Sequence, residues 1–363
     1  MTRPEVVLVV EQLRRPVPGG IGTYVSGLLG GVAQLPEGVA PSLLLHASAP
    51  RRPPDPLSRF GVPVSTSPLP APLLVRAWDH GLCRLSAGDL VHACSLAAPR
   101  PGPPLVVTVH DVAWRDEPAA GGRRRRWHEA ALRRAARWSR HFVVPSQATA
   151  DALLDSGHGI VADRVSVIEE GADHLPSPDP AAAGELLARL GVSGPFLLAV
   201  GTLEPRKNLA RLFEAYSLAR PRLPEPWPLL VAGPPGWGAA TRPPDGVLLT
   251  GWMPAAVLAA LYRGARSVLY VPLHEGFRLP VAEAMAAGTP VVCSAVPSAG
   301  GATLVVDPLV PDDIAAGIVA AATDEERRAQ LRAAGLARAA GLTWRRAAEQ
   351  HVSLWRRLIA AGP

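Results

Sequence analysis

The sequence predicts an α/β protein of two doubly wound parallel-sheet domains, and three observations carry that prediction. Short apolar runs rich in Val and Leu alternate with longer Ala/Leu/Arg stretches of helical period, the sign of parallel strands joined by crossover helices. At 363 residues the chain exceeds what one hydrophobic core organises, and two domains of about 150–200 residues are the natural division. A Pro-, Ala- and Asp-rich stretch, DHLPSPDPAAAGE at 173–185, separates two sets of strands and reads as a linker.

In the first half the predicted strands are EVVLVV (5–10), SLLLH (42–46), DLVHA (89–93), LVVTVH (105–110), HFVVP (141–145) and VSVI (165–168). In the second they are FLLAVG (196–201), PLLVAG (228–233), GVLLTG (246–251), SVLYVP (267–272), PVVC (290–293) and TLVV (303–306). The chain closes with TWRRAAEQHVSLWRRLIA (343–360), where Trp344, Ala348, Val352, Trp355 and Ile359 recur at helical spacing and form one stripe to bury. The expected organisation is 1–175 and 176–342 as two Rossmann-like halves facing a cleft, with 343–363 as a final helix. In such sheets ligands sit at the carboxyl ends of strands, so the residues just past each strand are the ones to read for chemistry.

Composition bounds the function. Hydrophobic residues make up 48% and charged residues 19%, a globular balance. No apolar run approaches the ~20 residues of a membrane span, and VVLVV (6–10) ends at Glu11, too soon for a secretory segment. Cys83, Cys94 and Cys293 lack metal-ligand spacing, and their odd number argues against a disulfide framework. A cytoplasmic location is expected. The formal charge of +6 and pI near 9.9 suit nucleic acid, an anionic membrane surface or anionic small molecules. Nucleic acid is disfavoured because aromatic residues are only 5%, leaving few base-stacking platforms.

Four stretches carry candidate chemistry. GTLEPRKNL (201–209) follows a strand directly and contains Lys207, the only lysine in a chain that otherwise uses arginine for every positive side chain. Beside Arg206, a compact ammonium next to a bidentate guanidinium suits the two phosphates of a nucleoside diphosphate, although a solvated cation pair fits the same residues. HEGFRLPVAEAMAAGTPVV (274–292) places Glu275 in a loop and Glu283 in the first turns of a helix that Pro280 can open. The backbone N–H groups of 276–279 would face an anion, and the two carboxylates could accept from two polyols. Taken singly, each is equally an ordinary loop or first-turn acid. PVPGGIGTYVSGLL (16–29) brings Gly19, Gly20 and Gly22 after the first strand; it lacks the full dinucleotide spacing but lets a ligand approach backbone amides. His110 and Asp111 end the strand LVVTVH. A fifth stretch, RRRRWHEAALRRAARWSRHF (123–142), puts Trp127, Ala131, Trp138 and Phe142 on one helical face and Arg126, Arg133, Arg137 and Arg140 on another. Peripheral contact with anionic membrane and a sheet-covering helix with a solvated face both fit it.

Residues 196–293 resemble the retaining glycosyltransferases of family four, which have the GT-B fold. The matching pieces are VGTLEPRKNLARLFEAY, LLVAGPPGWG and LTGWMPAAVLAALYRGARSVLYVPLHEGFRLPVAEAMAAGTPVV, with LVVDP further on. The resemblance implies that Arg206 and Lys207 bind the donor diphosphate, that Glu275 meets the donor sugar and that Glu283 meets the ribose. Gly276, Phe277, Arg278 and Leu279 would complete the donor loop, and Gly20 and Gly22 would touch the diphosphate. His110 would stand near the reaction centre, with Asp111, Gly19 and Gly20 towards the acceptor. The final helix would cross back to the first domain. No cofactor and no metal is implied. The substrates would be a nucleotide sugar, GDP-mannose by the GPPGWG segment and overall pattern, and a glycan or lipid-linked acceptor. Two departures mark this chain: Arg278 stands where the family has a second glycine, and the segment SAVPSAGGATLVVDP (294–308) is a residue short, with Ser298 in place of a Glu. They favour, as an alternative, a nucleotide-binding partner subunit without turnover, which the intact Glu275/Glu283 and Arg206/Lys207 pairs oppose. A sugar-nucleotide epimerase on the same fold is the enzymatic alternative.

Overall fold

The computed structural model describes residues 3–50, 53–115, 122–236, 242–273 and 276–362. The chain divides into two units, the first Met1–Gly171 with Thr343–Pro363 and the second Ala172–Leu342. In the first, seven parallel strands are β1 (Glu5–Val9), β2 (Ser42–Ala47), β3 (Val64–Thr66), β4 (Leu90–Ala93), β5 (Leu105–Thr108), β6 (His141–Val144) and β7 (Val165–Val167). Their order in the sheet is β3-β2-β1-β4-β5-β6-β7, and in register Val7 lies between Leu44 and Val91. The central strands are buried on both faces, which is why they read as mainly apolar runs that do not alternate with exposed residues. The covering helices are α1 (Gly19–Ala33), α2 (Ala71–Asp79), α3 (Gly122–Trp138) and α4 (Gln147–Leu154). Strand β3 was not expected from sequence. It is a three-residue edge strand, half exposed and preceded by Pro63, so it lacks the apolar run that marks an interior strand.

The second unit holds β8 (Leu197–Val200), β9 (Leu229–Ala232), β10 (Val247–Gly251), β11 (Ser267–Tyr270), β12 (Val291–Cys293) and β13 (Leu304–Val305). They are ordered β10-β9-β8-β11-β12-β13. Counted within its own unit, each sheet contains the doubly wound order 3-2-1-4-5-6, whose direction reverses between its first and fourth strands. The helices are α5 (Pro180–Arg189), α6 (Leu209–Ala219), α7 (Ala255–Gly264), α8 (Leu279–Ala286), α9 (Pro311–Thr323) and α10 (Glu325–Ala340). The stretch 173–185, expected to be a linker, is part of this unit and half of it is helix. Asp179 Oδ1 accepts from Ala182 N at 3.0 Å and Pro180 follows at the first helical position. The Asp-Pro pair is therefore a helix start, not linker composition.

The last helix, α11 (Trp344–Ala360), belongs to the first unit. Its stripe Trp344, Ala348, Val352 and Trp355 is buried, while Leu358 takes the core position expected of Ile359, which is half exposed. The helix lies against α1 at glycine contacts: a Cβ on Gly27 would sit 2.1 Å from Trp344 Cε2, and one on Gly31 would sit 2.1 Å from Trp344 O. Gly171 is pressed likewise, 2.3 Å from Trp344 N.

A buried hydrogen-bond chain pins α11 to the sheet, and its direction follows from its ends. Trp355 Nε1 donates to His92 Nδ1 at 3.2 Å, so His92 carries its proton on Nε2 and donates to Thr108 Oγ1 at 2.8 Å. At the far end His351 Nδ1, 2.7 Å from Ala347 O, must donate, so its Nε2 accepts from the Tyr24 hydroxyl at 2.8 Å. Tyr24 in turn accepts from Thr108 at 3.0 Å. Every group is satisfied only while both imidazoles are neutral. Burial holds His92 well below its usual range and lowers His351 to about 4.

Because these folded-state values lie below the unfolded one, the stability they confer is complete above pH ~6.5 and is lost as pH falls from there. His141, also lowered to about 4, first by burial and then by Arg357, adds in the same direction. For His351 a depression from 6.5 to about 4 corresponds to about 3 kcal/mol, so the denaturant midpoint should drop steeply between pH 6.5 and 4.5; a flat profile would contradict the neutral chain. At the α1–α11 contact, Gly27→Ala should destabilise although alanine favours helix by about 1 kcal/mol. The equivalent change at Gly30, which faces open space, should stabilise by about that amount. Equal effects at the two positions would rule out the close approach.

Candidate active site

The second unit concentrates its chemistry where β8 and β11 end side by side. After β8 the chain makes one 3-10 turn, Pro205–Lys207, and passes through Asn208 in the left-handed region at φ 58° and ψ 31°. Asparagine is one of the few side chains that tolerate this conformation. Here its amide also joins separate segments: Nδ2 donates to Val271 O at 3.0 Å and to Pro308 O at 2.7 Å, and Oδ1 accepts from Arg211 at 3.0 Å. The Leu273 amide donates to Arg206 O at 3.1 Å. The turn is thereby stitched to the segment that follows β11.

This geometry brings the two predicted cations together. Lys207 Nζ donates to the Tyr270 hydroxyl at 2.9 Å and stands 5.2 Å from the centre of that ring. Arg206 Nε donates to the buried Glu204 at 2.6 Å. Two positive groups at the carboxyl edge, both part-exposed, are suited to a diphosphate.

Of the next loop, His274 and Glu275 lie outside the described residues, so Glu275 has no placement here. Phe277 and Leu279 bury their side chains, which leaves the backbone as what they can offer a ligand. Arg278 takes up the left-handed conformation at φ 74° and ψ 64°, at a cost of about 1–2 kcal/mol for a non-glycine residue. Its side chain is buried, and its guanidinium donates to Ala295 O while Ser298 Oγ donates to Arg278 O at 3.4 Å. The two departures noted in the sequence are therefore one feature: Arg278 rests on the altered segment 294–308. Glu283, the fifth of the eight residues of α8, is buried with both oxygens engaged. Tyr262 donates to Oε2 at 2.7 Å, and His174 Nε2 lies 2.9 Å from Oε1. A carboxylate only accepts, so His174 carries its proton on Nε2. Burial, then the charge of Glu283, pushes the Tyr262 phenol well above its usual range and keeps it a donor.

In the first unit, His110 Nε2 lies 3.0 Å from Cys94 O and Nδ1 lies 3.4 Å from the buried Glu170. Both neighbours accept, which favours the imidazolium. Burial opposes that charge, but Glu170 outweighs it and the His110 pKa is raised. Asp111 Oδ1 accepts from Ala113 N at 3.1 Å and so caps the 3-10 turn Ala113–Arg115. Gly19, Gly20 and Gly22 lie in the first turn of α1, not in a loop before it. Gly19 and Gly20 face open space, whereas Gly22 is packed beneath Pro18, where a Cβ would lie 2.2 Å from Pro18 Cβ. The basic stretch forms α3 only as far as Trp138, since Arg140 follows the helix and Phe142 belongs to β6, and α3 covers the sheet with Ala131, Leu132 and Ala135; Trp127 donates to Asp79 at 2.9 Å. Its apolar stripe is thus spent on the core, and what remains outside is Arg123–Arg126, Arg133 and Arg137. No helix among the described residues is long and apolar enough to cross a membrane.

Sequence reasoning missed Asn208, Tyr270, Tyr262, His174 and Glu170. Asn208 had a usable signal, an asparagine just before a helical run. His174 was hidden in a stretch read as linker, and the tyrosines looked like ordinary core.

Comparison with known proteins matches residues 18–174 to the model of Glycosyltransferase Family 4 and residues 194–324 to that of Glycosyl transferases group 1. The O-antigen chain mannosyltransferase B of Escherichia coli is 36% identical over 177 residues, 45% of this chain and 46% of that protein. The chain thus matches less than half the length of that relative. A D-inositol 3-phosphate glycosyltransferase of Acidothermus cellulolyticus is 29% identical over 73% of this chain and 64% of its own length. Among solved structures, the sucrose-phosphate synthase of Thermosynechococcus elongatus superposes with a TM-score of 0.74 at 20% identity, covering 99% of this chain and 100% of that one. Anabaena HepE, solved with UDP and glucose, does so with a TM-score of 0.72 at 18% identity, covering 98% and 100%. With both sheets in the doubly wound order and each half matched by a model of the same group of transferases, the chain has the GT-B fold and belongs to glycosyltransferase family four.

Proposed function

We propose that the protein is a retaining glycosyltransferase that moves a hexose, mannose in our reading, from a nucleoside-diphosphate sugar to a hydroxyl of a glycan or lipid-linked acceptor. The observation that carries this is the Arg206–Lys207 pair held at the switch point of the second sheet. Mannose follows from the relatives named for mannosyl transfer, and GDP is the nucleotide that goes with it in this reading.

The chemistry assigned to these residues is the stabilisation of a leaving group. As the glycosidic bond to the diphosphate breaks, negative charge grows on the departing phosphate oxygen. Lys207 and Arg206 are there before the charge develops, so they need little reorganisation to meet it. In a front-face substitution the same oxygen takes the proton of the acceptor hydroxyl, and the new bond forms on the face the diphosphate leaves. Charge neutralisation falls to the two side chains, which is the basis for reading the reaction as metal-independent. The N–H groups at the start of α8 take the remaining phosphate oxygens. Glu283, oriented by Tyr262 and His174, keeps lone pairs for the ribose, and Glu275 is assigned to the sugar hydroxyls. On the first unit, His110, Asp111, Gly19 and Gly20 are assigned to the acceptor side. Of the alternatives, a nucleotide-binding subunit without turnover draws support from one observation, the strained and buried Arg278.

Thermal unfolding with GDP, UDP, ADP and their sugar conjugates tests the donor assignment. A ligand at about 100 times its Kd adds roughly 2.7 kcal/mol, and GDP and GDP-mannose should stand out. A shift unaccompanied by any transfer would move the subunit reading ahead, and no shift with any of them would count against both readings. Lys207→Ala should lower kcat/KM by about 10²- to 10³-fold. Lys207→Ala and Glu283→Ala should each weaken nucleotide binding, and Glu275→Ala should mainly lower turnover. Unchanged nucleotide affinity in both of the first two variants would remove the site from these residues.

A further inference from the structure

The opposite, amino edge of the second sheet carries a separate concentration of positive charge. Strands β8, β11 and β12 begin there, and among their starting segments lies a cavity of about 370 Å³ lined by Arg263, Arg266, Arg328 and Arg332 together with Gly264 and Gly288. That volume is within the range of about 300–1,000 Å³ usual for ligand pockets. One carboxylate meets two of the four guanidinium groups: Arg266 donates to Glu325 Oε1, and Arg328 Nε lies 3.3 Å from Oε2. Glu325 itself is largely in solvent.

Helix capping accounts for two of the four. Arg266 Nε donates to Ala322 O at 3.0 Å, and Arg328 Nη1 donates to Ala321 O at 3.3 Å and to Arg266 O. These serve the carbonyls at the end of α9, where cations belong. Arg263 and Arg332 have no hydrogen-bond or ion-pair partner among the described residues. Arg332 lies across Gly288, its Cζ 3.4 Å from where a Cβ would be, so a side chain there would intrude on the guanidinium. Arg328 Nε is buried and makes no hydrogen bond in spite of its nearness to Glu325. Burial, then the charge of Arg266, weakens the hold of Arg328 on its proton, and Glu325 offsets this only in part, as expected where like charges crowd together.

We propose that this cavity binds a phosphate monoester or diphosphate group, at a site distinct from the one that holds the sugar donor. Planar guanidinium forks match phosphate oxygens two at a time, the capped pair is already fixed in place, and the two unpaired arginines supply the charge to be neutralised. The proposal does not depend on the transferase reading.

The test is calorimetric titration with inorganic pyrophosphate at about 0.15 M salt, where weak exposed-charge attraction is screened. Two sites per chain are expected, one lost in Lys207→Ala and the other weakened at least tenfold in the double variant Arg263→Gln/Arg332→Gln. Both of those arginines are exposed, so the double variant should fold. Unchanged stoichiometry and affinity in it would overturn the proposal, as would a single site that Lys207→Ala removes. Loss of the Lys207 site alone leaves the proposal standing. Sedimentation with phosphatidylglycerol vesicles separates the sources of the group. Vesicle binding that the double variant loses assigns it to a lipid headgroup, and pyrophosphate binding without vesicle binding assigns it to a soluble phosphate.

Discussion

A parallel sheet sends every strand's carboxyl end to one edge, and most of what this protein can do follows from that constraint. Crossover helices must run back the other way, so their N-termini gather at the same edge as the strand ends. In the second unit this edge collects the turn after β8, the segment after β11 and the start of α8. The reversal of strand order between β8 and β11 opens space there that neighbouring crossovers would otherwise fill. The opposite edge inherits the helix C-termini, and with them a need for cations that Arg266 and Arg328 satisfy. The two edges are thus electrically different before any ligand is considered.

How far the sequence could be read depended on how local the cause was. Interior strands declared themselves because burial on two faces forces a continuous apolar run, as in Val6–Val10 and Leu105–Val109. Strand β3 did not, because an edge strand of three half-exposed residues needs no such run. The segment 173–185 misled for the opposite reason: an Asp-Pro pair in an Ala-rich stretch has the composition of a linker and the function of a helix start. In the candidate site, Arg206, Lys207 and Glu283 stood out through spacing within short motifs. Their partners Tyr270, Tyr262 and His174 are 63, 21 and 109 residues away. No local pattern reports a contact at that separation.

Arg278 shows how two oddities can share one cause. In isolation a buried arginine with a positive φ looks like damage, and a shortened loop with a serine looks like a second, unrelated loss. Together they form a contact, since the guanidinium reaches the carbonyl of Ala295 and the serine hydroxyl reaches the carbonyl of Arg278. The backbone strain is offset by the hydrogen bonds between Arg278 and segment 294–308. Each contact ends on a backbone carbonyl and the two join the same pair of segments, which is why the pair is better regarded as a single alteration of the loop that leads into α8.

The first unit holds imidazoles in opposite charge states almost in contact. The rings of His110 and Tyr24 stand 4.8 Å apart, yet the hydroxyl of Tyr24 belongs to the neutral chain through His351 and, by way of Thr108, His92. Burial is common to all three histidines and pushes each towards neutrality. What differs is the second neighbour. His92 and His351 each have one ring nitrogen facing a donor, which only a neutral ring can accept, whereas both nitrogens of His110 face acceptors and one of these is the carboxylate of Glu170. The charge on His110 then works against protonation of His92, so each state reinforces the other. Three histidines in one core thus differ through the partners that the tertiary fold brings to each ring.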